Sequence, residues 1–227
     1  MRNPDAILFD LDGTLIDTAP DMASALNRLL AREGRAELAL ETIRPHVSNG
    51  AAALVRLGFG TTLAEAERER LHRAFLDSYA DDIATASRPF PGMPALLDAI
   101  EDAGMRWGVV TNKPDWLTLP LMAALDLTAR ASCIVSGNTL ARNKPDPAPI
   151  HHACELAGTS AARCVYVGDA ERDIVAGRAA GSRTLIALFG YIEPGADPQA
   201  WQADGMLDHP EDLWRYVDRR PAPRETG

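Results

Sequence analysis

Short apolar runs and helical stripes follow one another along this chain in an order that predicts an α/β protein. Ala6-Ile7-Leu8-Phe9 is apolar at every position, the pattern of a strand covered on both faces. Thr18-Ala19-Pro20-Asp21 reads as a helix start, and Met22, Leu26, Leu29 and Leu30 form the stripe of a helix that Gly34 ends. A second helical stretch begins near Leu40, breaks at Ser48-Asn49-Gly50 and resumes through Leu54 and Leu57 until Gly58 and Gly60. A third runs from Thr62 to about Ala86, with Leu71, Phe75 and Tyr79 on one face. Arg88-Pro89-Phe90-Pro91-Gly92 then reads as a stiff linker.

From Met93 onward helices over 93–103, 114–125, 147–157 and 170–180 alternate with strands over 106–111, 131–136, 163–168 and 183–188. The alternation predicts a doubly wound parallel sheet, a Rossmann-like core built from residues 1–16 and 89–218, with residues 17–88 inserted as a helical cap. Residues 219–227 read as a polar tail. In such sheets ligands sit beyond the carboxyl ends of the strands, near the point where strand order reverses.

Four polar clusters lie just past predicted strands. In Asp10-Leu11-Asp12-Gly13-Thr14 the two carboxylates, two residues apart, converge on one pocket, and their repulsion calls for a cation or a proton. Thr111-Asn112-Lys113-Pro114 offers a hydroxyl and free amides at a helix start, a natural setting for phosphate oxygens. Asn143-Lys144-Pro145 holds a lysine on a proline-stiffened turn, and Gly168-Asp169 is followed four residues later by Asp173, which could orient a metal or a neighbouring lysine. Taken singly, each also reads as an ordinary turn, helix cap, loop lysine or acidic first helical turn. All four in order, each after a strand, match what phosphoryl transfer requires.

Composition sharpens this picture. Net charge is −9 and the pI about 5.0, so a nucleic-acid partner has no electrostatic footprint, and an anionic substrate must meet a local positive site. Lys113 and Lys144 are the only lysines in a chain otherwise using arginine, which marks them as places that need a compact ammonium. Three cysteines argue against a disulfide framework, with Cys133 and Cys164 expected as buried thiols in strands. No arginine follows any cysteine at the spacing of a cysteine-phosphatase loop. No apolar run approaches the roughly 20 residues that span a bilayer, and the start of the chain lacks a leader pattern, so no membrane partner and a cytoplasmic location are expected.

The four clusters and the helical insertion together resemble the haloacid dehalogenase-like hydrolase superfamily over nearly the whole chain. That resemblance implies Asp10 as nucleophile, Asp12 as acid and base, Thr111 as phosphate-binding hydroxyl and Lys144 as the neutralising lysine. It implies Mg²⁺ as cofactor, held by Asp10, the main-chain carbonyl of Asp12 and Asp169, with Asp173 in support. An acid at Asp12 favours a phosphate ester over a halide, residues 15–88 contain no lysine for Schiff-base chemistry, and Met22 stands where sugar-phosphate mutases carry a histidine. The expected activity is hydrolysis of a small phosphorylated metabolite by a monomer or homodimer. Asp17-Thr18-Ala19-Pro20-Asp21 and Phe90-Pro91-Gly92-Met93 look like the phosphoglycolate phosphatase group, which makes a phosphoglycolate phosphatase-like activity the first expectation and the sugar-phosphate relatives named next the alternative. The stretch from Trp107 to Pro114, Gly190-Tyr191-Ile192 and Asp208-His209-Pro210 are similar to N-acetylmuramic acid 6-phosphate phosphatases.

Substrate contacts are expected from Asn112 and Lys113 on the core and from the cap near its helix break, where Arg44, His46, Ser48, Asn49 and Arg56 are polar candidates. A phosphoacceptor signalling domain shares an acidic cluster, a Thr and a Lys on a doubly wound sheet. The close acid pair and the large insertion count against it, and rapid turnover of a phosphate ester separates the two.

Overall fold

A computed structural model describes residues 3–218; the tail expected at 219–227 lies outside the described residues. Every residue of β1 (Ala6–Phe9) is buried, and its side chains alternate between two cores: Ile7 and Phe9 face one, Ala6 and Leu8 the other. That division explains the uniformly apolar run, because a strand with helices on both faces has no solvent side. The chain continues through β2 (Ile16–Asp17), α1 (Ala19–Arg32), α2 (Leu40–Ile43), α3 (Gly50–Phe59), α4 (Glu65–Ala80) and β3 (Arg88–Pro89). It then alternates α5 (Met93–Asp102), β4 (Arg106–Val110), α6 (Asp115–Ala124), β5 (Ile134–Val135), α7 (Ala148–Leu156), β6 (Cys164–Gly168), α8 (Glu171–Ala180), β7 (Arg183–Ala187) and β8 (Gly205–Leu207).

The six-stranded sheet has the order β5-β4-β1-β6-β7-β8, and every adjacent pair is parallel. From β1 the chain builds outward through β4 to β5, then crosses back to lay β6 on the other side of β1. Strand order therefore reverses at β1, and the crevice beyond its carboxyl end is the place such a sheet provides for a ligand. Leu96, Leu97, Ile100, Leu117 and Leu121 of α5 and α6 cover the Ile7 face, while Ile150, Ala153 and Ala176 of α7 and α8 cover the Leu8 face. Burying each large apolar side chain contributes about 1.5–3 kcal/mol, so these two layers set the sheet on which the site depends.

The inserted segment is helical, and α1 packs along α4 through Leu26, Leu29, Leu71 and Phe75. Its two connections pair as an antiparallel ribbon, Ile16 opposite Pro89 and Asp17 opposite Arg88. Asp21 of α1, buried, accepts from the main-chain N–H of Ala86 (2.8 Å) and Ser87 (2.7 Å) and from the Ser87 hydroxyl (2.6 Å). These bonds hold the returning chain in non-helical form, which is why α4 ends at Ala80 rather than near Ala86.

Other boundaries differ from expectation for equally local reasons. Gly58 does not stop α3, which runs to Phe59 and ends at Gly60. A Cβ on Gly58 would stand 3.1 Å from Leu30 and 3.3 Å from Leu26, so this glycine serves close packing of α3 on α1. The expected strand 131–136 shrinks to Ile134–Val135, although Ser132 and Cys133 already bond to Trp107 and Val109. Strand β8, absent from the sequence reading, extends the sheet beside β7. Cys133, Cys154 and Cys164 are free and buried. No helix among the described residues is long and apolar enough to cross a membrane.

Candidate active site

Asp10 follows β1 at the sheet's carboxyl edge, its N–H donating to Val167 on β6 at 2.9 Å. The side chain of Lys144 reaches it from the loop before α7, with Nζ 2.8 Å from Asp10 Oδ1 and 2.7 Å from Asp173 Oδ1. The same ammonium lies 2.9 Å from the Val110 carbonyl and 2.8 Å from the Tyr166 hydroxyl. Oxygens surround a buried point charge, an arrangement suited to an ammonium and unsuited to a planar guanidinium. Asp173 is fully buried, and its second oxygen accepts from the Ala170 N–H at 3.0 Å, so it holds Lys144 in place.

Asp169, after β6, is buried against Gly13. At φ +86° a glycine is the residue the turn tolerates, and a Cβ there would lie 2.1 Å from Asp169 Oδ2. Asp169 Oδ2 accepts from the Ser48 hydroxyl at 2.6 Å and from the Tyr191 N–H at 2.8 Å, while Oδ1 accepts from Thr14 at 3.3 Å. The Ser48 hydroxyl is also 3.4 Å from the Asp12 carbonyl oxygen. A cap residue thus spans the Asp12 carbonyl and the Asp169 carboxylate.

The Asp12 carboxylate turns the other way. Its Oδ1 accepts from Lys113 Nζ at 3.0 Å and from the Thr18 hydroxyl at 2.7 Å. Thr18 therefore does not cap α1 with its side chain. Lys113 also donates to the Tyr79 hydroxyl at 3.0 Å and lies 4.4 Å from that ring's centroid, so cap helix α4 closes over the core here. Expected as a phosphate contact, the Lys113 ammonium is instead committed to Asp12 and Tyr79.

A cavity of about 410 Å³ between cap and core is lined by Asp10, Asp12, Thr111, Asn112, Lys113 and Lys144, and by Asn49 from the cap. Within it Asn112 departs from its expected role: its amide donates to the Lys144 carbonyl (2.9 Å) and accepts from the Lys144 N–H (3.1 Å), fastening the lysine loop. Thr111 is buried, and its hydroxyl accepts from the Lys113 N–H at 3.2 Å. Two cap candidates are corrected. His46 pairs with Glu193 at 3.0 Å and does not line the cavity, because the 3₁₀ turn over Arg44–Asn49 points it toward the loop after β7. Arg56 is exposed in a separate surface depression with Glu65 and Glu69, because α3 buries Leu54, Val55 and Phe59 and turns residue 56 outward. Sequence reasoning did not single out Tyr79, Tyr166 or Arg172 as site residues. Tyr79 and Tyr166 read as apolar-face positions of a helix and a strand, and their hydroxyls meet Lys113 and Lys144 only through tertiary packing.

Asp10 and Asp12 line the cavity with Lys113, Lys144 and Arg172, and Asp169 and Asp173 lie beside Asp10, so four carboxylates stand against three cationic side chains, a surplus of negative charge where a phosphate would have to bind. Asp10, Asp169 and Asp173 offer carboxylate oxygens within 4.8 Å of one another. This oxygen-only donor set with excess negative charge fits a hard divalent cation. Both oxygens of Asp173 are taken, Oδ1 by Lys144 and Oδ2 by the Ala170 N–H, whereas Lys144 meets Asp10 through Oδ1, so the atoms best placed to hold one are the Asp10 and Asp169 carboxylates and the Asp12 carbonyl.

The same crowding has a pH signature. Burial, opposed by Lys144 and reinforced by Asp173 and Asp12, pushes the Asp10 carboxyl from 3.8 up to about 6. Burial, then repulsion from Asp10 and Asp173, pushes Asp169 from 3.8 up to about 7. A carboxyl with a raised folded pKa binds protons more readily in the folded state, so its contribution to stability falls as pH rises from about 3.8 to about 7 and stays low above that. A divalent cation relieves this repulsion where the groups are ionised and competes with protons where they are not. Mg²⁺ should therefore raise the melting temperature more at pH 8 than at pH 5. Equal gains at both values in thermal scans would place the cation elsewhere.

A family model described as haloacid dehalogenase-like hydrolase matches residues 7–187. The chain is 43% identical over 214 residues to an N-acetylmuramic acid 6-phosphate phosphatase of Pseudomonas aeruginosa, covering 94% of this chain and 95% of that one. It is also 43% identical over 214 residues to a phosphoglycolate phosphatase of Xanthomonas campestris, covering 94% and 96%. A solved structure from Haemophilus somnus, described as a predicted phosphoglycolate phosphatase, superposes with a TM-score of 0.83 at 27% identity, covering 95% of this chain and 98% of that one.

Proposed function

Because the chain belongs to the haloacid dehalogenase-like hydrolase family, we propose that it is a phosphoric monoester hydrolase whose chemistry runs through Asp10. The observation that carries this reading is the Asp10 carboxylate, fixed by Lys144 at 2.8 Å in the cleft between cap and core at the sheet's reversal point. An Asp10 oxygen attacks phosphorus, and the bond from phosphorus to the ester oxygen breaks in line. Asp12 delivers a proton to the departing alkoxide, then takes one from the water that attacks the aspartyl-phosphate, releasing inorganic phosphate and restoring Asp10. Lys113 and Thr18 fix the Asp12 rotamer through Oδ1, which leaves Oδ2 for proton exchange. Lys144 holds the nucleophile and neutralises phosphoryl charge, and Thr111 supplies a hydroxyl to a phosphoryl oxygen. A divalent cation of the Mg²⁺ type, held by Asp10, Asp169 and the Asp12 carbonyl, supplies further neutralisation of the phosphoryl oxygens when bound.

Cavity size favours a bulky leaving group. About 410 Å³ falls in the range, roughly 300–1,000 Å³, of sites that enclose a sizeable ligand. Met22, Val47, Ala51, Leu76 and Leu117 give it apolar walls. A two-carbon acid would leave most of that space unfilled, whereas an amino sugar bearing an acetyl methyl offers apolar surface to it. N-acetylmuramic acid 6-phosphate is thus the substrate we place first. Phosphoglycolate, first on sequence grounds, is the second reading and is favoured by the equal identity to the Xanthomonas relative. Phosphate release measured with Mg²⁺ across small phosphoesters should give a kcat/KM for the sugar acid at least about tenfold above that for phosphoglycolate. The opposite order would make the glycolate ester the substrate.

A further inference from the structure

Arg172 stands in the first turn of α8, between Asp169 and Asp173 in sequence, and with Ser48 and Asn49 it lines both the 410 Å³ cavity and a neighbouring one of about 460 Å³. Its guanidinium reaches across to the cap: Nη1 donates to the Asn49 side-chain oxygen at 3.1 Å and Nη2 to the Ser48 carbonyl. Both acceptors are neutral. Lys113 and Lys144, the other cations lining the catalytic cavity, are each paired with aspartates. His72, lining the cavity from cap helix α4, has its pKa lowered by burial and adds a hydrogen-bonding ring rather than a charge. Arg172 is therefore the cation of this cavity whose hydrogen bonds leave its charge unmatched by an acid.

A guanidinium has five N–H donors, and two are engaged with the cap, so a planar pair remains for a bidentate acceptor. The neighbouring cavity carries Asp169, Glu171, Glu193 and Asp197, which would repel an anion. In the catalytic cavity the acids Asp10 and Asp12 already hold lysines, so an anion beside Arg172 meets less opposing charge on that side. We propose that Arg172 binds a carboxylate on the leaving group and thereby selects phosphate esters of organic acids. Its grip on Ser48 and Asn49 ties that recognition to the cap. The inference rests on the phosphatase reading and holds for either substrate considered above.

The test compares matched esters with and without the acid: phosphoglycolate against 2-hydroxyethyl phosphate, and N-acetylmuramic acid 6-phosphate against N-acetylglucosamine 6-phosphate. In the wild-type protein, with Mg²⁺ present, kcat/KM should favour the acid member of the better-used pair by about 10- to 100-fold, the scale of a charge-assisted bidentate contact. Arg172→Gln should bring that ratio to within about threefold, and Arg172→Lys should restore part of it. Loss of the cap contact alone would lower both members of a pair together, so the ratio isolates carboxylate recognition. An unchanged ratio in Arg172→Gln, or a wild-type ratio near one, overturns the assignment while turnover of both esters leaves the phosphatase reading standing. No turnover of any ester, an aryl phosphate included, would remove both.

Discussion

Replacing Asp10 by asparagine is expected to lower phosphate release by on the order of 10⁴-fold or more, the scale of removing a nucleophile, and to abolish the phosphoenzyme. The amide oxygen is a far poorer nucleophile, and the substitution also strips a charge from the donor set shared with Asp169 and Asp173. Unfolding should not be the cause. Burial and the neighbouring carboxylates make the Asp10 charge costly, so a neutral side chain of the same shape relieves repulsion, even though Lys144 keeps only Asp173 as an ionic partner. Thermal melting of the variant should stay close to that of the parent, and trapping with labelled substrate should give no acid-stable phosphoprotein. Label retained in Asp10→Asn would move the nucleophile to another residue.

Lys144→Arg should be nearly as severe despite the retained charge, with kcat/KM falling by roughly 10³-fold, comparable to losing a main electrostatic contact in a closed site. The ammonium sits among the oxygens of Asp10, Asp173, Val110 and Tyr166 with almost no exposure, and a planar fork has no room to satisfy that set. The loss should be the same for alkyl and aryl phosphates, because Lys144 touches the nucleophile, whose attack is common to both. Lys113→Arg makes an informative contrast. Its ammonium touches Asp12, so its loss should weigh more on alkyl esters, whose basic leaving oxygen needs a proton, than on aryl esters. Kinetics on such a pair of substrates, with the two patterns exchanged, would reverse the roles given to the lysines.

The features readable in the sequence are those that local chemistry dictates. An apolar run such as Ala6–Phe9 has few options other than a doubly covered strand, and Asp10 and Asp169 each follow a strand whose type is fixed by its own pattern, while Lys144 stands out as one of two lysines in the chain. What escaped reading depends on how distant segments meet. The Ser48 hydroxyl reaches Asp169 across 121 positions, and Arg172 reaches Asn49 across 123; no periodicity encodes either contact. Arg56 shows the limit of pattern within one helix: a few residues between glycines leave the rotation of α3 undecided until Leu54 and Val55 are seen to face inward. Asn112 shows another limit, since an amide beside a phosphate site can serve the ligand or the loop, and here it ties down Lys144. Strand β8, three residues with no alternation, acquires its form from β7 rather than from its own side chains.

The burial of both lysines has a practical consequence for handling the protein. Reagents that acylate primary amines, including common cross-linkers, fluorescent esters and activated surfaces, find no exposed side-chain target in the folded chain, since Lys113 and Lys144 are 9% and 4% exposed. Acylation of either ammonium would remove the charge that pairs with Asp12 or Asp10, so inactivation and label uptake should proceed together. Amine labelling thus becomes a clock for opening of the cleft, with a background set by the terminal amine alone, and covalent immobilisation is better directed at the arginine-rich surface or an added tag.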